Sequence, residues 1–395
     1  MIDFFLAFGH HNFIYWFLSI LIFFCIKNDK LHTILEIHLE VKKMKRQIKT
    51  SLLVLTIFLF TQGIGAYANE ASRYMLIPGG DAVGIHIETQ GLIVVDTYMV
   101  ETECGERSPA RDAGLVKGDI IVAINGQPIS DIESYKEALV VGEGVLALTI
   151  DREGDTSEIV ITGCRNLSDE LTTGVYLRNK IAGIGTLTYV DPASRKYGAL
   201  GHEIIDQDTN RIVDIRTGDL IDSDITSIRK ATDGNPGEKI AEIYFDEIYG
   251  DVDKNNQYGI YGNMTSDSFN SKPMMPIAYQ DEVKVGSATI LTVLDGRRIE
   301  EFEIEIIEVV RQAEKEIKGI KYVVTDPRLL ETTGGIVQGM SGSPIVQDGK
   351  IIGAVTHVLV HDSTLGYGVF IEWMLEESEI NYKAGAPTEA FNPAA

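Results

Sequence analysis

Between Ala71 and Gly163 the chain alternates short apolar runs with turn residues, and the same rhythm continues beyond Gly174. Ala113-Gly114-Leu115 predicts the end of a short helical turn, and Gly118-Asp119 the next reversal. Ile120, Ile121, Val122 and Ile124 predict a strand, with Asn125-Gly126 a tight turn behind it. Ser130, with Glu133 three residues on, predicts a capping box that opens a helix over SDIESYKEAL. Further along, TILTVLDGRRIEEFEIEIIEVV predicts a hairpin about Asp295-Gly296, with Phe302, Ile304 and Ile306 alternating inward. SGSPIVQDGKIIGAVTHV predicts another about Asp348-Gly349, and only Ile371 to Glu376 interrupts the strands with a helix. Many short strands and glycine-rich turns imply a mainly β chain, folded as a sandwich or as closed barrels.

At 395 residues the chain has room for two domains, each with its own core. A formal net charge of -23 excludes a nucleic-acid footprint, because an acidic surface repels phosphates. The three cysteines, Cys25, Cys104 and Cys164, show no CxxC or Cys/His spacing, so no metal site is expected and no cofactor is implied. Cys104 and Cys164 either pair in an exported protein or stay as two free thiols.

The N-terminal segment KKMKRQIKTSLLVLTIFLFTQGIGAYANE changes the picture most. A basic cluster (Lys42, Lys43, Lys45, Arg46, Lys49) precedes an apolar core from Leu52 to Phe60, then Ala66-Tyr67-Ala68. That order is a secretory signal over 44–70, or, uncut, a membrane anchor with its basic end in the cytoplasm. Upstream, Phe13 to Ile26 is a second apolar run, short for a span. Residues 1–43 are therefore either an extension before a natural start at Met44 or an extra apolar segment. In both cases the chain from about Asn69 is expected outside the cytoplasm, and 386–395 is expected as a disordered tail.

The stretch SPARDAGLVKGDIIVAINGQPISDIESYKEAL resembles a PDZ domain of the permuted bacterial type, whose pattern is AGL-x-x-GD-x-I-x-x-ING-x-x-I. The resemblance places a PDZ domain over 71–165. It implies a peptide groove whose carboxylate-binding loop falls on Ala82, Val83, Gly84 and Ile85, with a ligand peptide added as a strand along Ile85 to Glu88. Asp81 sets a negative charge beside that loop, which favours internal or non-carboxylate ligands.

In Gly339-Met340-Ser341-Gly342-Ser343-Pro344 the spacing G-x-S-G-x-P resembles the nucleophile loop of chymotrypsin-like serine peptidases. A serine hydroxyl needs a base at hydrogen-bond distance, and amides beside it must converge on the developing oxyanion. Ser341 takes the nucleophile's place, with the amides of Gly339 and Ser341 as the oxyanion donors. Ser343 lies on the variable position, and a plain glycine-rich turn before a strand remains the rival reading. Among the histidines after Met44, His86 belongs to the PDZ stretch, His357 falls within a strand and His361 in a turn. His202, preceded by the small residues Gly198, Ala199 and Gly201, is left as the base by elimination. Asp326 ends an apolar strand next to Pro327 and is placed to orient the imidazole; Asp206, Asp208 and Asp214 compete but read as a solvated loop.

Taken together, AGIGTLTYVDP, KYGALGHEIID, GNPGEKIA, VTDPRLL, GGIVQGMSGSP and IGAVTHVLVHDSTLGYGVFIEWM resemble the stage IV sporulation protein B peptidases of endospore-forming bacteria, from about residue 45 to the end. The resemblance implies a signal-anchor helix, a PDZ domain and a chymotrypsin-like double β-barrel over 171–385, with catalytic His202, Asp326 and Ser341. It implies export, membrane anchoring, then release into the space between the two forespore membranes after self-cleavage near the N-terminus. The substrates implied are the chain's own N-terminal region and a regulatory subunit that restrains an intramembrane zinc protease, a cut that activates a late sigma factor. The alternative is a membrane-tethered PDZ adapter whose barrel domain carries no chemistry.

Overall fold

In the computed structural model the described residues are 73–384, apart from 233 and 360, together with the helical residues 19–20, 22–23, 40–46 and 49. Most of the expected signal segment and the whole 386–395 tail lie outside them. Among the described residues no helix is long and apolar enough to cross a membrane.

After a short strand β1 (Met75–Pro78), the 16-residue strand β2 (Ala82–Thr97) organises the first half of the fold. Its end, Leu92 to Thr97, belongs to the PDZ unit. There β2 pairs with β3 (Ile120–Ile124), and helices α1 (Pro109–Asp112) and α2 (Ile132–Val141) join strands β4 (Val145–Arg152) and β5 (Asp155–Thr162). Leu92, Val94, Leu115, Ile121, Tyr135, Leu139, Leu146, Leu148, Ile150 and Ile161 bury together as its core. Gly91 marks the passage between the two halves of β2: its φ is +95°, and a Cβ would stand 2.8 Å from the Ile121 carbonyl oxygen. The cap of α2 is Asp131 rather than Ser130, since the Asp131 carboxylate accepts from the Ser134 amide at 2.7 Å. Ser130 instead gives its carbonyl to the Asn179 side chain.

The beginning of β2 is part of the other unit, and this corrects two expectations. Ala82 to Glu88 lie between β6 (Val175–Val190) and β8 (Ile215–Arg229), with Val83 opposite both Gly185 and Asp222, and Ile85 opposite both Gly183 and Leu220. Ala82, Val83, Gly84 and Ile85 are all buried. With a strand on each side, they offer no free edge for a ligand peptide, so the peptide-binding loop expected there does not exist. Asp81 is likewise committed, to Lys272 at 2.6 Å. The PDZ unit is thus an insertion between β2 and β6 rather than a domain beginning at residue 71.

The sheet continues from β2 through β6 and β7 (Lys196–Ala199) to β10 (Gly259–Asn263), while β9 (Glu238–Asp251) pairs with β8. Strands β11 (Gly286–Val293), β12 (Ile299–Val309), β13 (Ile320–Val324), β14 (Pro344–Gln347), β15 (Lys350–Leu359) and β16 (Asp362–Phe370) form a closed barrel in the order β11-β12-β13-β16-β15-β14. Ile290, Tyr322 and Ile345 are buried there together with Phe302, Ile304 and Ile306, the three whose inward alternation is read from the sequence. Helix α3 (Pro327–Thr333) follows β13, and α4 (Ile371–Glu377) follows β16. The described residues are mainly β with one closed barrel; among them the first half is an open sheet continuous with the PDZ strands, not a second closed barrel.

Candidate active site

The turn from Gly339 to Ser343 enters β14, and both of its inner glycines have φ of +91°. Its carbonyls are tied down from β6. The Thr186 amide donates to the Ser341 carbonyl at 3.0 Å, the Thr186 hydroxyl to Gly339 at 2.8 Å and the Thr188 hydroxyl to Gly342 at 2.8 Å. The Gly342 amide donates to Val355 at 2.8 Å. A side chain at Gly342 would collide with the Thr186 carbonyl and the Leu200 amide, which is why glycine stands there. The amides of Gly339 and Ser341, in contrast, donate to no acceptor among the described residues. Fixed carbonyls and two open amides beside a serine are the parts an oxyanion site requires. Ser341 is partly exposed, whereas Ser343 is fully buried and its hydroxyl has no partner.

His202 follows β7 through Leu200 and Gly201, with φ of 66° and 69°. Two successive left-handed residues reverse the chain and swing the ring into a cleft of about 540 Å3 that Gly339 and Ser341 also line. Its Nδ1 lies 2.7 Å from the Glu203 carbonyl oxygen. A carbonyl can only accept, so Nδ1 carries the proton and Nε2 is left as the basic nitrogen. The Ser341 hydroxyl donates to the Thr356 carbonyl at 3.1 Å, and no hydrogen bond joins it to His202. The structure therefore brings serine and histidine to one cleft without linking them directly.

Asp326 is not brought to His202. Its carboxylate caps α3, accepting from the Arg328 amide at 2.8 Å, and pairs with the Arg328 guanidinium at 2.7 Å; the Glu303 amide adds a third donor at 3.3 Å. Arg328's hydrogen bond is the main cause holding this carboxyl below its usual range. The sequence TDPRLL reads equally as a helix start, with an acid cap followed by proline, and that is the role it plays here.

Other groups around the cleft take places that the sequence reading did not give them. The His357 ring lies 5.6 Å from that of His202, with its Nδ1 buried and unpartnered; burial first, then the His202 and Lys318 charges, lowers its pKa. At another part of the cleft wall Arg178 binds both Asp206 and Asp208 at 2.6 Å. Asp206 is only 3% exposed, so the supposed solvated loop is an anchored one. Ile85, Ile87, Ile181, Leu200 and Ile204 supply apolar lining. Cys104 and Cys164 are free thiols, and no group of metal-ligating side chains occurs among the described residues.

Comparison with known proteins adds two families of sequence. The profile of SpoIVB peptidase S55 matches residues 169–375, a little over half of the chain, and a PDZ domain profile matches residues 102–152. No curated protein matches the chain. Among solved structures, the active form of the Rv3671c protease from M. tuberculosis is similar at 12% identity over 54% of this chain and 78% of that one, with a TM-score of 0.29. Its inactive form is similar at 12% identity over 49% and 83%, also at 0.29.

Proposed function

Since the chain belongs to the SpoIVB peptidase S55 family, a family of serine peptidases, we propose that it is an exported serine endopeptidase acting through Ser341 and His202. The observation that carries this reading is the pair of open amides at Gly339 and Ser341, in the cleft that also receives the His202 ring. In the reaction Ser341 Oγ attacks a peptide carbonyl while His202 Nε2 takes its proton. The Glu203 carbonyl keeps the ring in the required tautomer. The two amides hold the oxyanion, each worth about 2.7–4 kcal/mol of barrier. The imidazolium then protonates the leaving amine, and water repeats the attack on the acyl-serine. A turn about χ1 of Ser341 exchanges its bond to Thr356 for the open face of the cleft, a small change beside the barrier of the chemistry.

The resemblance supplies the biological setting of this proposal: action between the two forespore membranes after export, release by self-cleavage near the N-terminus, and a cut in the regulatory subunit of an intramembrane zinc protease that activates a late sigma factor. The PDZ unit would dock substrate or the chain's own N-terminal segment, by a face other than Ala82–Ile85. The rival reading, a PDZ adapter with an inert barrel, draws on the missing Ser341–His202 bond. Mapping N-termini of the purified full chain by mass spectrometry separates the two. Wild type should show a processed N-terminus and Ser341→Ala none, with turnover lower by about a millionfold; equal processing in both would end the peptidase assignment.

A further inference from the structure

Against Gly339 lies a lysine that the reaction as described does not use. Lys239, near the start of β9, is 4% exposed. Its amide donates to the Gln338 carbonyl at 2.9 Å, and the Gln338 amide donates to Gly237 at 2.9 Å, a short parallel bridge onto the residue before Gly339. Its aliphatic stem covers Gly339: the Lys239 Cβ, Cδ and Cγ stand 3.2, 3.2 and 3.4 Å from where a side-chain carbon on that glycine would be. Its Nζ reaches the buried Thr292 hydroxyl of β11 at 2.7 Å and makes no ion pair.

The acids next to it on β9 and across from Thr292 on β12 are engaged elsewhere. Glu238, the neighbour on β9, pairs with Arg229 of β8 at 2.6 Å. Glu300 of β12, opposite Thr292, is held by Arg298 at 2.7 Å and approached by Arg328 at 3.9 Å. The turn carrying Ser341 contributes no acid. Burial alone pushes the Lys239 amine down to about 7.

We propose that Lys239 is a positioning residue for the peptidase reaction, which seats the Gly339 amide for the oxyanion while its amine is neutral and unseats it on protonation. The inference rests on the reading of Ser341 as nucleophile. A neutral amine is satisfied by Thr292 in that enclosure, whereas an ammonium without a counter-charge is driven towards water. Its stem lies on Gly339 and its backbone is bonded to Gln338, so any such withdrawal shifts the oxyanion donor. The peptidase is thereby switched off by a proton on Lys239, separate from protonation of the general base itself.

The test is the rate at which a fluorophosphonate labels Ser341 in the full chain between about pH 5.5 and 9. Two neutral groups are needed in the wild type, so log rate should climb with a slope of about two on the acid side, against about one in Lys239→Met. At about pH 6 the variant should label roughly tenfold faster relative to its own plateau. Equal slopes, or an equal slowing at every pH, would overturn the proposal and leave the Ser341 reading intact; no labelling of wild type at any pH would remove both. Should Lys239→Met fail to fold, Thr292→Val, which removes only the acceptor for Nζ, must move the second ionisation to lower pH, and an unmoved profile counts against the proposal.

Discussion

An amine buried without a counter-charge should leave its mark on stability as well as on rate. In the unfolded chain Lys239 titrates near ~10.4; in the folded chain it does so at about 7. Between those values the unfolded state holds a proton that the folded state lacks. Stability therefore rises with pH through this window, by at most about 1.4 kcal/mol per pH unit. Below pH 7 the penalty is present in full, at about 4–5 kcal/mol, and above ~10.4 it vanishes. Urea unfolding of wild type and Lys239→Met at several pH values isolates the effect, since carboxylates are ionised in both chains and cancel. Removal of the Thr292 bond shifts the comparison by a constant, so the slope carries the information. From about pH 7.5 to 9.5 the wild type should gain about 2.5 kcal/mol relative to the variant. A difference that stays flat over that range would show that the amine is charged in the fold, or hydrated, and would refute the reasoning.

Three further substitutions probe the site. Asp326→Asn keeps one oxygen for the Arg328 amide but turns its NH2 toward the Glu303 amide and the Arg328 guanidinium, so it should cost about 1–3 kcal/mol of stability and barely change Ser341 labelling; a fall of about 10⁴-fold in labelling would instead place this carboxylate behind His202 in the working enzyme. Gly342→Ala forces a side chain onto the Thr186 carbonyl at a φ of +91°, and should lose more than about 2 kcal/mol of stability together with labelling; a melting curve like that of wild type would contradict the packing described. Thr186→Val strands the Gly339 carbonyl, at a cost of about 1–3 kcal/mol, and should slow labelling of Ser341 without altering the PDZ core. Unchanged labelling there would mean that the oxyanion corner does not depend on this tie.

What could be read in advance follows from how local the determining physics is. The turns at Asn125-Gly126 and Asp348-Gly349 require positive φ at both residues, and adopt 49° and 77°, 52° and 71°. Such residues announce themselves in any sequence. The α2 cap fell one residue late, on Asp131 instead of Ser130, because neighbouring side chains of like chemistry compete for the same amide. The PDZ boundary was hidden for a different reason. Ala82 to Thr97 is one strand, and only its distant partners, β8 on one part and β3 on the other, divide it between two units. The shaped turn around Ser341 was legible from glycine spacing, and Gly339 and Gly342 both take φ of +91°. Asp326 suits either a triad or a helix cap by its position at a strand end, and its neighbours Pro327 and Arg328 decide for the cap. Lys239 and Arg178 carry no local signal at all, since their burial and partners are set by strands far away in sequence.

His202 and Ser341 share one cleft, and activation of the hydroxyl by the imidazole is what the peptidase reaction requires. That activation meets its most direct test in mapping, by mass spectrometry, the residue modified when the folded full chain reacts with a fluorophosphonate. A single adduct on Ser341 that disappears in His202→Ala is expected. An adduct on Ser343, or one on Ser341 that forms at the same rate without the imidazole, would contradict it.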